Sequence, residues 1–247
     1  MSEHIISEFE GDNHGVITSN LQTRLEHLRK LYGQKDAEGL LASMIEEEFS
    51  GKIAAVSSFG AESAVLLSLI SKVSKETPII FLETGKHFSE TLEYKDLLVS
   101  RLGLTNVRSV RPSSAHLVED DPRGELWRIN SDYCCHIRKV LPLEKSLDSF
   151  EAWITGRKRF QSESREELQT IELIGKQIKI NPLATWNSAQ LKEYFVTHNL
   201  PKHPLILKNY LSIGCAPCTN PVALGGDQRS GRWANEEKTE CGIHRAT

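Results

Sequence analysis

Residues 53–85 read IAAVSSFGAESAVLLSLISKVSKETPIIFLETG, and this stretch decides the fold class. It begins with a short apolar run at 53–56, passes through a turn of small and polar residues, and continues as an apolar helical pattern at 64–73. A second apolar run follows at 78–82. Short apolar runs that alternate with helical patterns are typical of parallel strands joined by crossover helices. The stretch therefore predicts a strand–helix–strand unit of a parallel sheet.

The same alternation extends along the rest of the chain. Its patterns predict helices at 21–32, 36–49, 89–102 and 188–198, strands at 107–110 and 152–155, and a hairpin at 170–180. We expect an α/β fold: an open, mostly parallel sheet with helices on both faces. The expected organisation is a flexible N-terminal segment (1–20), a single α/β domain (21–224) and a mobile C-terminal tail (225–247).

Composition narrows the class of protein. The chain has 247 residues, of which 39% are hydrophobic and 26% charged, enough for a real core without disulfide bonds. A net charge of −3 disfavours a general binder of nucleic acid or anionic membranes. No apolar run approaches the roughly 18 residues of a membrane span, and the first ten residues carry acidic rather than basic side chains. We expect a cytoplasmic protein.

The turn SSFGAES at 57–63 is the first candidate site. It lies between a strand and a helix, where free backbone N–H groups and the positive end of the helix dipole favour an anion. It matches neither of the common phosphate-loop patterns, so an ordinary serine-capped turn explains it equally well. Residues 83–85, Glu-Thr-Gly, occupy the corresponding edge after the next strand and have the same two interpretations.

Five cysteines divide into four plus one. Cys134 and Cys135 are adjacent, Cys215 and Cys218 form a CxxC pair, and Cys241 lies near the end. Four thiolates suit zinc or an iron–sulfur cluster, and the adjacent pair favours a cluster because neighbouring side chains diverge. A redox CxxC pair and buried structural thiols are the alternatives. Lys139, one helical turn after the adjacent pair, could offset thiolate charge or bind a substrate anion, or simply face solvent.

Cys241 stands apart from the other four. A free thiol on a tail becomes a usable nucleophile beside a cation, and His244 follows it three residues later. Arg229, Arg232 and Lys238 give the tail positive charge for an anionic substrate. Taken alone, these residues favour an incidental surface cysteine over a nucleophile.

Several motifs together resemble a known family, the assimilatory sulfonucleotide reductases, and among them the thioredoxin-dependent adenylyl-sulfate (APS) reductases. The resemblance spans about residues 57–244. In chain order it rests on SSFGAE (57–62), ETG (83–85), CCHIRK (134–139), TGRKRFQS (155–162), YLSIG (210–214), CAPC (215–218) and ECGIH (240–244).

The resemblance implies an adenine-nucleotide α-hydrolase-like fold, a [4Fe-4S] cluster and a nucleophilic cysteine. The cluster ligands would be Cys134, Cys135, Cys215 and Cys218. The nucleophile would be Cys241, which would attack the substrate sulfur, release AMP and form an S-sulfonate that thioredoxin reduces to sulfite. The implied substrate-binding residues are Ser57, Ser58, Phe59, Gly60, Glu62, Thr84, Gly85, Lys139, Arg159, Arg229, Arg232 and His244.

Two further expectations follow from the family pattern. Lys158 stands where relatives often have arginine and cannot make the same bidentate contact, so Arg159 is preferred to it as a substrate ligand. Relatives that use the 3′-phosphorylated nucleotide (PAPS) usually lack both cysteine pairs, which favours APS in assimilatory sulfate reduction toward cysteine. A PAPS reductase and a non-catalytic iron–sulfur or zinc redox-sensing module are the alternatives. A homodimer or homotetramer is compatible with the family.

Overall fold

The computed structural model describes residues 7–234 and 236–244, with side chains from residue 19 onward. Six strands form one sheet: β1 (Ile53–Val56), β2 (Ile79–Leu82), β3 (Val107–Val110), β4 (Ala152–Ile154), β5 (Ile171–Ile174) and β6 (Gln177–Ile180). Their order is β3-β2-β1-β4-β6-β5, and only β5 runs antiparallel to its neighbour. The predicted fold class is confirmed, including the β5–β6 hairpin.

Helices cover both faces of the sheet. The α-helices are α1 (Ser7–Tyr32), α2 (Ala37–Ala42), α3 (Ser63–Val73), α4 (Ser89–Leu102), α5 (Ser114–Asp120), α6 (Leu126–Ile129), α7 (Ser131–Cys135), α8 (Leu141–Leu147) and α9 (Ser188–Thr197). Two π-helical segments, Ser43–Glu48 and His136–Val140, continue α2 and α7, and short 3₁₀ turns lie at Arg159–Gln161, Glu163–Arg165, Pro204–Lys208 and Ala216–Cys218. No helix in the described residues has the length and apolar composition needed to cross a bilayer.

The apolar sequence of α3 explains its central place. Its residues from Ala64 to Ile70 are buried, because the helix packs in the larger core cluster between the sheet, α2 and α9. A second, smaller cluster lies on the opposite face of the sheet and includes Leu143, Phe150 and Trp153. Burial on both faces accounts for strands that are apolar throughout rather than alternating.

The ends of the chain differ from the predicted segments. The helix predicted at 21–32 begins earlier, since α1 already includes residues 7–20. Residues 1–6, also predicted to be flexible, lie outside the described residues. The predicted C-terminal tail packs against the domain as far as residue 244, with Trp233 only 4% exposed. The flexibility of both segments and the domain boundaries stay predictions.

Candidate active site

A pocket opens at the carboxyl ends of the central strands. The turns after β1 and β4 contribute Ser57 and Thr155, and the loop after β2 contributes His87. The C-terminal segment (residues 225–244) closes the pocket with Cys241 and His244. In open parallel sheets this edge is where ligands bind, because the loops of neighbouring strands converge there. The sequence thus brings together a turn near residue 57 and a cysteine more than 180 residues later.

The turn at 57–63, here called the serine loop, is held tightly. Phe59 adopts a positive φ of 48°, is fully buried, and its backbone N–H donates to Ser57 Oγ at 3.2 Å. A Cβ added at Gly60 would lie 3.0 Å from the carbonyl oxygen of Ile213, so only glycine fits there without displacement. Phe59 therefore anchors the loop in the core while Ser57, Ser58 and Gly60 face the pocket.

Glu62 is the centre of a polar network at the same loop. Its carboxylate accepts hydrogen bonds from Lys158 Nζ at 2.7 Å, Gln161 Nε2 at 2.8 Å and Gln228 Nε2 at 2.8 Å. Burial alone would raise the pKa of Glu62, but the charge and hydrogen bond of Lys158 outweigh it and lower the pKa. One carboxylate thus joins the serine loop, the turn after β4 and the C-terminal segment.

Six cationic side chains line the pocket, and we call them the cation cluster: Lys139, Arg157, Lys158, Arg165, Arg229 and Arg232. Only two carboxylates, Glu62 and Glu240, line it with them in the described part of the chain. Burial lowers the pKa of Arg229 to about 10, and the nearby Arg165 charge adds to this shift. A pocket with such an excess of positive charge suits a substrate that carries several negative charges.

Lys139 lies between the two groups of cysteines. Burial alone would lower the pKa of its ammonium group, but the electrostatic interactions with Cys215, Cys135 and Cys241 outweigh burial and raise it. The same lysine is the largest influence that lowers the pKa of the Cys215 thiol, against the opposing effect of burial. A permanent cation therefore faces both Cys241 and the buried thiols.

Glu240 fixes the backbone next to Cys241. Its carboxylate accepts a hydrogen bond from Arg165 Nε at 2.6 Å and lies 3.5 Å from Arg229 Nη2. Burial would raise the pKa of Glu240, but the arginines hold it below the usual value. Arg229 also donates to the carbonyl oxygen of Thr239 at 2.7 Å. These contacts place the Cys241 thiol at the pocket rather than in solvent.

Four cysteines line a second, smaller pocket beside the first: Cys134, Cys135, Cys215 and Cys218, called here the cysteine set. All are free thiols, and three of the four are buried. Thr84 Oγ1 lies 3.3 Å from Cys215 Sγ, and the Ala216 N–H donates to the Lys86 carbonyl at 2.7 Å. The loop after β2 thus holds the CxxC turn against the helix that carries the adjacent pair.

The placement and chemistry of the cysteine set can be compared with those of a metal-binding site. Among residues 7–234 and 236–244, no group of three or more His, Cys, Asp or Glu side chains is placed to hold a metal ion. The donor set itself is of the kind that binds iron–sulfur clusters, because four thiols line one cavity with the Lys139 cation beside them. Burial raises the pKa of the Cys134 thiol to about 11, an effect that a bound cation would reverse.

The predicted nucleophile and substrate-binding residues separate into two groups, and of the predicted cluster ligands Cys215 also lines the main pocket. Those that line the main pocket are Ser57, Ser58, Gly60, Glu62, Lys139, Arg229, Arg232, Cys241 and His244. Those outside it are Phe59, Thr84, Gly85 and Arg159. Thr84 and Gly85 lie beside the cysteine set instead, where the Thr84 carbonyl accepts a hydrogen bond from Arg138 and Gly85 adopts a φ of +70°.

Arg159, preferred to Lys158 as a substrate ligand, lies outside the pocket in the structure, and its role in substrate binding stays a prediction. Arg159 Nε donates to the Leu168 carbonyl at 2.8 Å, outside the pocket, whereas Arg157 and Lys158 line it. The 3₁₀ turn Arg159–Gln161 directs the third cation of this run away from the pocket. Sequence reasoning also missed Arg165 and Glu240 as pocket residues, although the quoted ECGIH motif includes Glu240 and could have indicated it.

Comparison with known proteins accords with this site. Residues 52–221 match the family described as phosphoadenosine phosphosulfate reductase domain. An adenosine 5′-phosphosulfate reductase of Mesorhizobium japonicum is 48% identical over 94% of this chain and 92% of its own length. A protein of the same name from a Chelativorans species is 50% identical over 86% and 87%. A phosphoadenosine 5′-phosphosulfate reductase of Gloeobacter violaceus is 41% identical over 90% and 94%.

Solved structures share the fold. A phosphoadenylyl-sulfate reductase of Candida auris, crystallised as a phosphate complex, superposes with a TM-score of 0.67 at 26% identity over 81% of this chain and 97% of that one. An FMN adenylyltransferase of Candida glabrata superposes with a TM-score of 0.54 at 16% identity over 92% and 84%, which is a likeness of fold alone.

Proposed function

The chain belongs to the phosphoadenosine phosphosulfate reductase family and is an oxidoreductase that acts on a sulfur group, and from this premise we propose that it reduces adenylyl sulfate to sulfite and AMP. One observation carries the proposal: Cys241 lies in the same pocket as the cation cluster and the serine loop. Such a pocket offers a nucleophile, charge for a phosphosulfate and backbone donors for a nucleotide.

The charge distribution orients the substrate. The phosphosulfate group carries the negative charge of adenylyl sulfate, so we assign it to Lys139, Arg229 and Arg232, near Cys241. The uncharged nucleoside then extends toward the serine loop, where Ser57 and Ser58 supply hydroxyl groups. This orientation brings the sulfur atom to the thiol rather than to the loop.

The reaction follows from that arrangement. The Cys241 thiolate attacks the sulfur atom, a sulfur–sulfur bond forms, and the bond from sulfur to the phosphate oxygen breaks with release of AMP. Lys139 and the arginines stabilise the charge that develops on the departing phosphate and on the sulfonate. A thioredoxin thiolate then attacks the Cys241 sulfur and releases sulfite, and the second thioredoxin thiol restores the Cys241 thiolate. Thioredoxin supplies both electrons and leaves as its disulfide.

We further propose that the cysteine set holds a [4Fe-4S] cluster. When bound, such a cluster would contribute fixed charge beside Lys139 rather than electrons for the reaction. Lys139 is then the residue that conveys the electrostatic effect of the cysteine set to the substrate, since its charge interacts with Cys135, Cys215 and Cys241. Iron and acid-labile sulfide analysis of the purified protein tests the cluster, and stoichiometric zinc without iron would contradict it.

The C-terminal segment must open once per cycle in this scheme. Cys241 is half-buried when the segment is packed, so a protein thiol needs it exposed in order to attack the S-sulfonate. A reducing location, the cytoplasm, suits a chain whose five cysteines are all free. It also supplies thioredoxin in its dithiol form.

Trapping the intermediate tests the reaction. Incubation with adenylyl sulfate but no thioredoxin should release one equivalent of AMP and add the mass of one sulfonate group to the peptide that contains Cys241. Cys241→Ser protein is the control and should show neither. Release of AMP without the adduct would contradict the mechanism. A non-catalytic iron–sulfur or zinc module would give neither product with the wild-type protein.

A second candidate substrate is 3′-phosphoadenylyl sulfate. The Gloeobacter relative, which is 41% identical to this chain, is named a phosphoadenosine 5′-phosphosulfate reductase, and this supports the second candidate. The two are separated by the ratio of kcat/KM for the two nucleotides with the same thioredoxin. We expect the ratio to favour adenylyl sulfate, and a preference for the 3′-phosphorylated nucleotide would replace our assignment.

A further inference from the structure

The residues that follow Cys241 dock on the sheet through an aromatic stack. The His244 ring lies parallel to the indole of Trp153, with ring centroids 6.0 Å apart and an interplanar angle of 6°. Ile243 packs against the same small core cluster, which includes Trp153, Leu82 and Leu143. Parallel aromatic rings at this separation form an offset stack, which is a favourable arrangement.

Trp153 is a rigid surface for this contact. It lies in the middle of β4, which is paired with β1 on one side and β6 on the other, and its side chain is only 2% exposed. Lys179, its register partner on β6, is fully buried and places its Nζ 4.9 Å from the indole centroid. The indole is therefore held by the sheet, and the C-terminal segment is the partner that can leave.

Cys241 lies between two anchors of different chemistry. On one side Glu240 is held by Arg165 and Arg229, and on the other Ile243 and His244 pack at Trp153. An anionic substrate competes for Arg229, one of the cations that hold Glu240, so the ionic anchor weakens when the pocket fills. The aromatic anchor of Ile243 and His244 on Trp153 involves, among the described residues, no ion pair that a substrate anion could replace, so it still acts at the moment when the thiol must meet the sulfur atom.

The aromatic anchor is also suited to release. Neither Trp153 Nε1 nor His244 Nδ1 has a hydrogen-bond partner among the residues that the structure describes. Stacking and apolar packing hold the two together, so the segment can lift without breaking a hydrogen bond at either ring nitrogen. A contact of this kind closes the pocket for one step and opens it for the next.

We propose that Trp153 is a positioning residue for Cys241: its indole is the platform on which Ile243 and His244 dock, and docking sets the place of the thiol in the pocket. The inference rests on the proposed function for its catalytic meaning, but docking itself can be measured without turnover. Trp153 touches neither the thiol nor the substrate in this assignment and acts through the C-terminal segment.

The first experiment measures exposure of the Cys241 thiol. Full-length protein as purified is treated with iodoacetamide, and peptide mass mapping gives the alkylation rate of Cys241. Loss of the platform should shift the closed–open equilibrium, so Trp153→Leu should raise this rate roughly tenfold while Trp153→Phe, which keeps a stacking ring, stays near wild type. Trp186→Leu is the matched control, because Trp186 packs on the larger core cluster. An unchanged rate in Trp153→Leu, or an equal rise in Trp186→Leu, would overturn the proposal.

The second experiment separates positioning from a structural role. A displaced nucleophile should lower kcat of Trp153→Leu by roughly 10²-fold while KM for the nucleotide changes little, with recovery in Trp153→Phe. If kcat falls and KM rises together in proportion to a loss of protein stability, the role of Trp153 is structural and the positioning proposal is contradicted. If Trp153→Leu does not fold, Ile243→Ala removes the docking contact from the other partner, and it must raise the alkylation rate for the proposal to stand. If no S-sulfonate forms but these alkylation shifts occur, the proposed reaction fails and the platform stands.

Discussion

The cysteine set and Cys241 present the same functional group in opposite settings. Of the cysteine set, Cys134 and Cys135 end α7, Cys215 caps the 3₁₀ turn Ala216–Cys218 and Cys218 ends it. The backbone next to Cys215 hydrogen-bonds to the loop after β2. Cys241 lies in no helix or strand, and an ion pair at Glu240 and an aromatic stack at His244 hold it. A thiol in a fixed cradle suits a ligand, whereas a thiol between two separable contacts suits a nucleophile that must change place.

Replacement of one thiol of each kind should give the largest effects and tests directly whether the two kinds differ in function. Cys241→Ser should lower sulfite release by roughly 10³-fold or more, because a serine hydroxyl is a far weaker nucleophile than a thiolate. Its iron content and thermal midpoint should stay at wild-type values. Activity assay, iron analysis and calorimetry measure the three properties.

Cys134→Ser is the matched change in the cysteine set. It should lower iron content and stability together, and any loss of activity should follow the loss of iron. If Cys241→Ser also lost iron, or Cys134→Ser kept it, the division of the five thiols into four ligands and one nucleophile would be wrong.

Lys139 lines both the main pocket and the smaller pocket of the cysteine set, so its charge can be tested for an effect on Cys241. Lys139→Met removes the cation that faces Cys215, Cys135 and Cys241, and kcat/KM should fall by roughly 10²–10³-fold, as for loss of a preorganised electrostatic group. Lys139→Arg keeps the charge and should recover part of the activity. Equal activity of the methionine and arginine variants would show that charge at this position is unimportant.

Glu62 lies at the serine loop, on the other side of the pocket from Cys241. Its replacement is expected to change mainly the free energy of unfolding. Glu62→Gln leaves Lys158 buried without its partner and turns an amide toward the donors Gln161 and Gln228, so the free energy of unfolding at neutral pH should fall by about 3 kcal/mol. Chemical denaturation measures this change. Arg128→Ala, which breaks the exposed pair with Glu125, is the control and should cost less than about 0.5 kcal/mol.

The pH dependence of that variant follows from the sign of the pKa shift. The folded-state pKa of Glu62 lies below its value in the unfolded chain, so the unfolded state binds the proton first as pH falls. The stabilisation is therefore complete above the unfolded pKa near 4.5 and disappears as pH falls through the lower folded value. Glu62→Gln should flatten this acid limb, and a limb as steep as wild type would contradict the assignment.

Most of the fold could be predicted from the sequence because the apolar patterns that define its strands and helices lie within short stretches of the chain. The runs at 53–56 and 79–82 are apolar throughout, and the helix between them is apolar enough to be buried from Ala64 to Ile70. The early start of α1 was missed because Gly11 and Gly15 lower helix propensity, a weak preference that the structure overrides.

The site was only partly readable because side-chain direction in loops is set by tertiary contacts. Arg157, Lys158 and Arg159 are consecutive, yet two of them face the pocket and Arg159 binds the Leu168 carbonyl instead. Arg165 belongs to no motif and reaches the pocket through a second 3₁₀ turn. Stacking of His244 on Trp153 joins residues 91 positions apart, and no local pattern predicts such a contact.

Replacement of Gly214 should give the smallest effect of these variants. Gly214 lies between the main pocket and the cysteine set. It immediately precedes Cys215, and a Cβ at this position would overlap the guanidinium group of Arg232. Gly214→Ala should therefore displace Arg232 from the pocket and raise KM for the nucleotide by about tenfold, roughly the effect of one weakened charged contact. Steady-state kinetics measures KM, and iron analysis shows whether Cys215 has moved.

The two readouts together decide what Gly214 does. A higher KM with unchanged iron means that the glycine makes room for an arginine of the cation cluster, on the side of the pocket that Cys241 serves. A loss of iron with unchanged KM would assign it to the cysteine set instead. Gly225→Ala is the control, because within the described part of the chain no atom other than those of its chain neighbours lies within 4 Å of a Cβ placed there, although its φ of +78° predicts a small loss of stability. A rise in KM in that variant as well would remove the steric explanation, since a glycine replaced without any overlap would then have the same effect.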